Sequence, residues 1–321
     1  MNGLVTVIGG GGYIGSILTR KLLQEGLPVR VFDNFVYGEN SLADIQNPNL
    51  QIVKGDICDI KALSQAISGA EAVVLLATIV GRRVDDMQPR FMREVNLLAS
   101  SVALDAAIEH GVNRFVFAST DSVYGLQSGV MYETGTPAPV SLYSRLKLRM
   151  EEQVIRAKRR DFHPTAVRIS TCYGVSPRMR FDLVINSLVR DAFVKKEIVV
   201  SAGEETRAFI HVEDAATGIL SSLRAHVSLV SGEVFNLSAE GQELNLNQLV
   251  NITRQLIPDV SIKFLEEQAE LTGYKLSCSK IAKVLDFTPR WTIKAGMEEV
   301  KSALQAGLFE DPYDKRYSNT L

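Results

Sequence analysis

The chain has only three cysteines in 321 residues, and Cys58, Cys172 and Cys278 lie too far apart for a disulfide framework or the paired spacing of a metal site. No metal is expected. Charge of one sign is lacking too: 35 Lys and Arg against 37 Asp and Glu leave a formal net charge of −2, with a pI near 6.2. That balance offers no broad field to nucleic acid or to an acidic membrane surface, so neither is expected as a partner. The short basic runs at 82–83, 158–160 and 195–196 read as solvated faces. The start shows no signal peptide and no apolar run long enough to span a membrane, which points to a cytoplasmic location. Repeats, linkers and low-complexity tracts are also missing.

What is present is material for a large core. With 46% hydrophobic residues, the length permits one elaborate domain or two closely joined lobes. Strand and helix patterns alternate through the first half. Strands are expected near 4–8, 28–32, 50–54, 71–77, 113–119 and 164–169, and helices near 13–25, 59–68, 88–110 and 141–160. This alternation predicts an α/β fold, a Rossmann-like doubly wound parallel sheet. After Cys172 the pattern loosens. A helix near 181–194 and a strand near 208–211 follow, then helix 212–225 and strand 234–237, which read as a return to the sheet. Helices near 245–257, 278–285 and 294–306 complete a smaller C-terminal, substrate-binding lobe. The division expected is a cofactor-binding unit over 1–171, completed by about 208–238, and a substrate-binding lobe over 172–207 and 239–321. A ligand belongs in the crevice at the carboxyl ends of the strands.

Two patterns carry chemistry. The first strand runs directly into Gly9-Gly-Gly-Gly-Tyr-Ile-Gly15, where a helix opens. Gly9, Gly12 and Gly15 permit a tight turn and let backbone N–H groups approach a pyrophosphate at the helix N-terminus, with Tyr13 and Ile14 inside the same turn. The second strand ends at Asp33, about where a ribose 2′-OH is held. A carboxylate there repels a 2′-phosphate, and Asn34 supplies no counter-charge, so NAD is expected in preference to NADP. The other pattern is Tyr143 with Lys147. Of nine tyrosines, only Tyr143 has a Lys four positions on, which places both side chains on one helix face. Work as a base near neutral pH requires a Tyr to drop roughly three units from ~10, or about 4 kcal/mol. One ammonium is a modest source for that, and a positively charged nicotinamide ring beside it adds more.

At 115–125, an apolar strand stops where Ser119, Thr120, Asp121 and Ser122 crowd together ahead of Val-Tyr-Gly. With the Gly loop, Tyr143 and Lys147, this pattern resembles the extended short-chain dehydrogenase/reductase superfamily, in particular its NAD-dependent nucleotide-sugar epimerases and dehydratases. The resemblance spans nearly the whole chain. It implies that Thr120 hydrogen-bonds the substrate's reacting oxygen, that Tyr143 is the acid/base, and that Lys147 holds the nicotinamide ribose and lowers the Tyr143 pKa. It also implies adenine contacts from Asp56 and Ile57, a nicotinamide-side wall from Leu76, Ala77, Thr78 and Ser170, and an Asn96 that braces the central strands. Arg207, in a block ending His211-Val-Glu-Asp214, is implied as a diphosphate ligand, with Arg178 and Arg180 as further candidates. His211 reads as a packed histidine rather than a catalyst.

Three positions depart from the family pattern. Thr171 stands where an Asn usually touches the sugar or phosphate, and residues 267–270, Glu-Gln-Ala-Glu, stand where epimerases carry an Arg-containing clamp. Thr120-Asp121-Ser122 replaces the Thr-Asp-Glu of the dehydratases, in which the Asp is the acid and the Glu the base. Ser122 is a poor base, whereas 4-epimerisation needs only Thr120, Tyr143, Lys147 and NAD. The expected function is therefore an NAD-dependent epimerase acting on a nucleotide sugar by transient oxidation at C4. The alternatives are a keto-sugar reductase, a decarboxylase or another sugar-nucleotide oxidoreductase and, in a different class, a catalytically silent dinucleotide-binding regulator. A homodimer through helices 88–110 and 141–160 fits the resemblance.

Overall fold

The structure, a computed structural model, describes residues 1–80, 88–201, 206–265 and 273–319. Seven strands form its central sheet: β1 (Val5–Ile8), β2 (Val29–Asp33), β3 (Leu50–Lys54), β4 (Ala72–Leu75), β5 (Arg114–Thr120), β6 (His163–Ile169) and β7 (Glu233–Leu237). They lie in the order β7-β6-β5-β4-β1-β2-β3, and every pairing is parallel. Parallel strands joined by helical crossovers are covered on both faces, which is why these segments read as unbroken apolar runs. Val5, Val7, Val29, Val31 and Val74 face one side, packing with Leu18 and Leu22 of α1 (Tyr13–Gln24). Ile8, Phe32, Val73, Leu75 and Phe117 face the other. There they meet Leu63 of α2 (Ile60–Ile67), Leu104 of α3 (Ser100–Glu109) and Met150 of α4 (Leu142–Arg156). At about 1.5–3 kcal/mol for each fully buried large apolar side chain, these two layers hold the strand ends in place.

Beyond β6 the chain forms α5 (Val184–Val194), α6 (Val212–Arg224), α7 (Leu246–Leu256), α8 (Ser279–Leu285) and α9 (Ile293–Gln305). Helix α6 packs along α1. Helices α5, α7 and α9 pack on one another, and their apolar residues Leu188, Leu249 and Val300 continue the core of the first sheet face.

Several short strands escape sequence patterning. Segments 171–173, 197–201 and 129–131 pair with 209–211, 261–265 and 274–276 in three separate two-stranded parallel sheets, and of these six strands only 209–211 is expected from the sequence. A three-residue strand is too short to show a period, and Ser261–Leu265 is mostly exposed, with Phe264 55% accessible. The segment expected as one helix over 88–110 is broken. It runs as Pro89–Arg93, then a π-helical stretch Glu94–Ala99, then α3. The wider turn carries Asn96, a placement common at functional sites.

Candidate active site

The strand order reverses between β1 and β4, and the loops leaving the carboxyl ends of β1, β2, β4, β5 and β6 meet there around one cavity of about 350 Å3. Its first wall is the Gly-rich turn. Gly9 has φ +86°, and a Cβ on it would lie 2.6 Å from the Ala77 backbone nitrogen. A Cβ on Gly15 would lie 2.2 Å from the Gly9 carbonyl oxygen. Both positions therefore exclude a side chain, and α1 is drawn close under β1. Gly12 caps α1 without a side-chain hydrogen bond, and the first turn holds no acidic residue. The helix thus presents free N–H groups and positive dipole to the cavity. Asp33 tightens the same loop: its carboxylate accepts from Gly11 N at 2.9 Å and from Phe35 N at 2.8 Å. Burial raises its pKa, with those two backbone bonds and the nearby Arg178 charge opposing.

Asp56 and Ile57, after β3, line the adjoining end of the cavity. The Asp56 carboxylate accepts from Cys58 N at 2.8 Å. On the opposite wall, Leu76, Ala77 and Thr78 follow β4. Asn96 stands behind them: it accepts from Thr78 Oγ1 at 3.0 Å and Ile79 N at 2.7 Å, and donates to Ile79 O at 2.7 Å. It braces this wall without lining the cavity.

The catalytic candidates project from the end of β5 and from α4. Ser141 opens α4 in a capping box with Ser144, which fixes the helix start two residues before Tyr143. Tyr143 and Lys147 lie on the face turned to the cavity, with Thr120, Asp121 and Ser122 across from them. Thr120 Oγ1 lies 3.1 Å from Ser122 Oγ and accepts from Ser122 N at 3.2 Å, and its hydroxyl favours the Tyr143 phenolate. Burial raises the Tyr143 pKa well above its usual value, and the charge that most favours its phenolate is that of Arg180. The sequence reading gave that part to Lys147. Burial instead pushes Lys147 itself down to about 7, with Glu151 opposing, and its ammonium sits 4.1 Å over the Phe117 ring. Asp121 is pushed up to about 7 by burial, against hydrogen bonds from Tyr274, Thr120 and Ser122 and the charge of Arg207.

The remaining sequence candidates divide. Ser170, Thr171, Arg178 and Arg180 line the cavity, as do Gly9, Gly12, Tyr13, Ile14, Gly15, Asp33 and Asn34. Arg180 pairs with Asp182. Arg178 sits 4.1 Å over the Tyr37 ring. Arg207 does not line the cavity. It is exposed on a bridge with Leu244, and its charge reaches Asp121. Residues 82–83 and 267–270 lie outside the described residues. His211 is fully buried, stacked on Trp291 at 4.0 Å and hydrogen-bonded to Glu299 at 2.9 Å.

Sequence reasoning missed Phe35, Tyr37 and Asn319 on the cavity wall, and the buried pair beneath Lys147. Glu151 accepts from Arg168 at 2.6 Å, and Arg168 donates to Tyr124 Oη at 2.8 Å. Glu151 follows Lys147 by four residues, so the 143, 147, 151 spacing was a usable signal. Asn186 was missed as well. Its amide accepts from Gly174 N at 2.9 Å and donates to Arg180 O at 2.9 Å and Tyr13 Oη at 3.2 Å, tying the Gly-rich turn to the arginine loop.

Among the described residues, no cluster of His, Cys, Asp and Glu is arranged to hold a metal ion, and no helix is long and apolar enough to cross a membrane. A dinucleotide suits what is there: a side-chain-free turn, an uncapped helix N-terminus and a ribose-facing carboxylate. The chain is similar to a dTDP-glucose 4,6-dehydratase from an Actinoplanes species, 30% identical over 316 residues and covering 92% of this chain and 95% of the relative. It is also similar to a putative UDP-glucose 4-epimerase from Methanocaldococcus jannaschii, 26% identical over 305 residues and covering 92% and 97%. Among solved structures, MoeE5 in complex with UDP-glucuronic acid and NAD matches with a TM-score of 0.82 at 26% identity, over 94% of this chain and 99% of that one. The family described as NAD dependent epimerase/dehydratase matches residues 5–238, the span that holds the Gly-rich turn, Asp33, Thr120, Tyr143 and Lys147. On the combined weight of that match and this geometry, the chain belongs to the NAD-dependent epimerase/dehydratase family.

Proposed function

We propose that the protein is a nucleotide-sugar 4-epimerase. The observation that carries this reading is the composition of the wall facing Tyr143. Thr120, Tyr143 and Lys147 converge there, while the position that holds a second base in a 4,6-dehydratase is Ser122. Glu133, the one carboxylate of the following loop in reach by sequence, is turned away to accept from Asn236 N at 2.8 Å. His110 is bonded to Ser64 at 2.8 Å, on the α2 side of the sheet.

In this mechanism Thr120 Oγ1 holds the C4 oxygen of the sugar, and Tyr143 Oη takes the proton of the C4 hydroxyl. The NAD cofactor supplies a hydride acceptor that later returns the hydride. Lys147 holds the cofactor's ribose side, and the Glu151–Arg168 pair beneath fixes the face of α4 from which Lys147 projects. Tyr143 then gives its proton back to the C4 oxygen of the inverted sugar. Both proton transfers pass between the same two oxygens, so no other side chain is required to titrate. Arg180, whose charge favours the Tyr143 phenolate, serves the same step.

Residues 1–171 with about 208–238 are assigned to cofactor binding, and 172–207 with 239–321 to the substrate. A homodimer through the helical segments 88–110 and 141–160 and a cytoplasmic location complete the proposal. Leu98, 62% accessible at the start of the α3 side, supports the dimer face, which light scattering of the purified protein tests.

Incubation with UDP-, dTDP-, GDP- and CDP-hexoses in deuterated water separates the reactions. Epimerisation yields a 4-epimer with no solvent deuterium on carbon. A 4-keto-6-deoxy product labelled at C5 or C6, formed at about 1 s⁻¹ or faster, would overturn the reading and require a base from elsewhere in the chain.

A further inference from the structure

Three buried polar atoms on the cavity wall have no hydrogen-bond partner among the described residues: Ser119 Oγ at the end of β5, and Arg178 Nε and Asn319 Oδ1. The last two belong to residues 5% and 9% accessible, and both line the cavity that holds the Gly-rich turn and Asp33. Leaving a buried donor or acceptor unmet is costly, and side chains so placed normally have a partner. They are 141 residues apart in sequence, and the fold joins them deliberately. Asp314 caps the turn Lys315–Tyr317 by accepting from Arg316 N at 2.9 Å. Tyr317 O accepts from Phe181 N at 2.8 Å, and its ring packs edge-on against Phe181 and Phe309 at 5.8 and 5.4 Å. Arg178 Nη2 donates to Ser318 O at 3.2 Å. The C-terminal segment is thus strapped back onto the arginine loop, and the strap delivers Asn319 to the cavity.

The end of the cavity they occupy is the cofactor's. The Arg178 guanidinium lies over Tyr37 in the loop after β2, and its charge is felt by Asp33. The charge of Arg180, two residues on, is felt by Tyr143 and Tyr13 and also by Tyr37. A dinucleotide offers what both orphan atoms lack, because phosphate and ribose oxygens accept from a guanidinium while ribose hydroxyls donate to an amide oxygen. Burial and the like charge of Arg180 push Arg178 down to about 10, so an anion beside it relieves a strained cation.

We propose that Arg178 and Asn319 form a C-terminal clamp on the ribose-phosphate part of NAD, a cofactor contact made by the otherwise substrate-binding half of the chain. The clamp rests on the family's NAD dependence and not on which sugar reaction follows. It keeps the cofactor on the enzyme between half-reactions.

The test uses the full chain and isothermal titration with NAD⁺, beside titration with UDP, dTDP, GDP and CDP. Arg178→Lys keeps the charge and removes the Nε donor, and Asn319→Ala removes the amide. Each is expected to weaken NAD⁺ by about tenfold or more, the effect of losing one charge-assisted or buried hydrogen bond. Thermal unfolding of Asn319→Ala without NAD⁺, and binding by both variants of whichever nucleoside diphosphate the wild type takes, are expected to stay unchanged. NAD⁺ affinity within twofold of wild type in both variants overturns the clamp. So does a loss confined to the nucleoside diphosphate, which would place Arg178 on the substrate's diphosphate. A wild type that binds no NAD⁺ would instead refute the cofactor reading as a whole.

Discussion

Replacing Tyr143 by Phe removes one oxygen from a half-buried ring and tests the proposed acid/base directly. Its cost to the fold is small for reasons visible in the site. Thr120, whose hydroxyl favours the Tyr143 phenolate, keeps Ser122 N at 3.2 Å and Ser122 Oγ at 3.1 Å when the phenol oxygen is removed. A neutral hydrogen bond contributes about 0.5–1.5 kcal/mol net, and Phe avoids the desolvation that burial imposes on the phenol, so stability should change by less than about 1 kcal/mol. The cost to turnover is of a different order. Losing general acid/base assistance slows a step by about 10²–10⁴-fold, or about 2.7–5.5 kcal/mol at 1.36 kcal/mol per decade. Because the hydroxyl acts in the transition state, kcat and kcat/KM should fall together. Stopped-flow absorbance of the reduced nicotinamide during a single turnover reads the chemical step, while calorimetry with NAD⁺ and a thermal melt read cofactor binding and folding. A variant within a few-fold of wild type in the single turnover would remove Tyr143 as the acid/base. A fall in activity matched by an equal fall in NAD⁺ affinity would assign it a binding role instead.

Two other outcomes follow from the same cavity. NAD(H) should bind more tightly than NADP(H), because the Asp33 carboxylate is fixed by Gly11 N and Phe35 N where a 2′-phosphate would meet it; calorimetric titration of both decides this, and equal or tighter NADP(H) binding refutes it. Asp121→Asn should gain stability relative to wild type as pH rises. Burial lifts the Asp121 pKa from 3.8 to about 7, so between those values the native state holds more protons than the unfolded chain, and wild-type stability declines as pH climbs through that window. Asn carries no such penalty, so the difference in Tm should grow from about pH 4 to pH 7 and level off above; a difference independent of pH shows that Asp121 ionises freely.

Much of this site was legible because its elements are local in sequence. The strand, Gly-rich turn and helix at 4–25 are contiguous, and the turn's function depends on the missing side chains at Gly9 and Gly15, which the letters themselves report. Tyr143 and Lys147 are one helical turn apart, so periodicity alone places them together. The charge on Tyr143 was not legible. The i, i+4 spacing nominated Lys147, but burial lowers Lys147 toward neutrality, and the fold brings Arg180 to the phenol from 37 positions away. Short strands such as Thr171–Tyr173 were hidden for a related reason: the partner Phe209–His211 is distant in sequence and the pairing leaves no period to read.

Arg178 and Arg180 show where sequence reading stops. Both stand in one short loop and both read as diphosphate ligands, since nothing in Ser-Pro-Arg-Met-Arg separates them. The fold does so by burying Met179 completely and anchoring the two sides differently. Arg178 is held by Ser318 and Tyr37, from the C-terminal strap and the β2 loop. Arg180 is held by Asp182, with Asn186 fixing its carbonyl. The Arg178 charge is felt by Asp33 and the Arg180 charge by Tyr143, while both reach Tyr37. A single arginine loop can then bias both halves of the reaction, retaining the cofactor through one residue and favouring the phenolate through the other. Asn186, which also bonds the Tyr13 hydroxyl in the Gly-rich turn, ties the position of that loop to the dinucleotide turn, so a displaced turn would misplace the Arg180 charge at the same time.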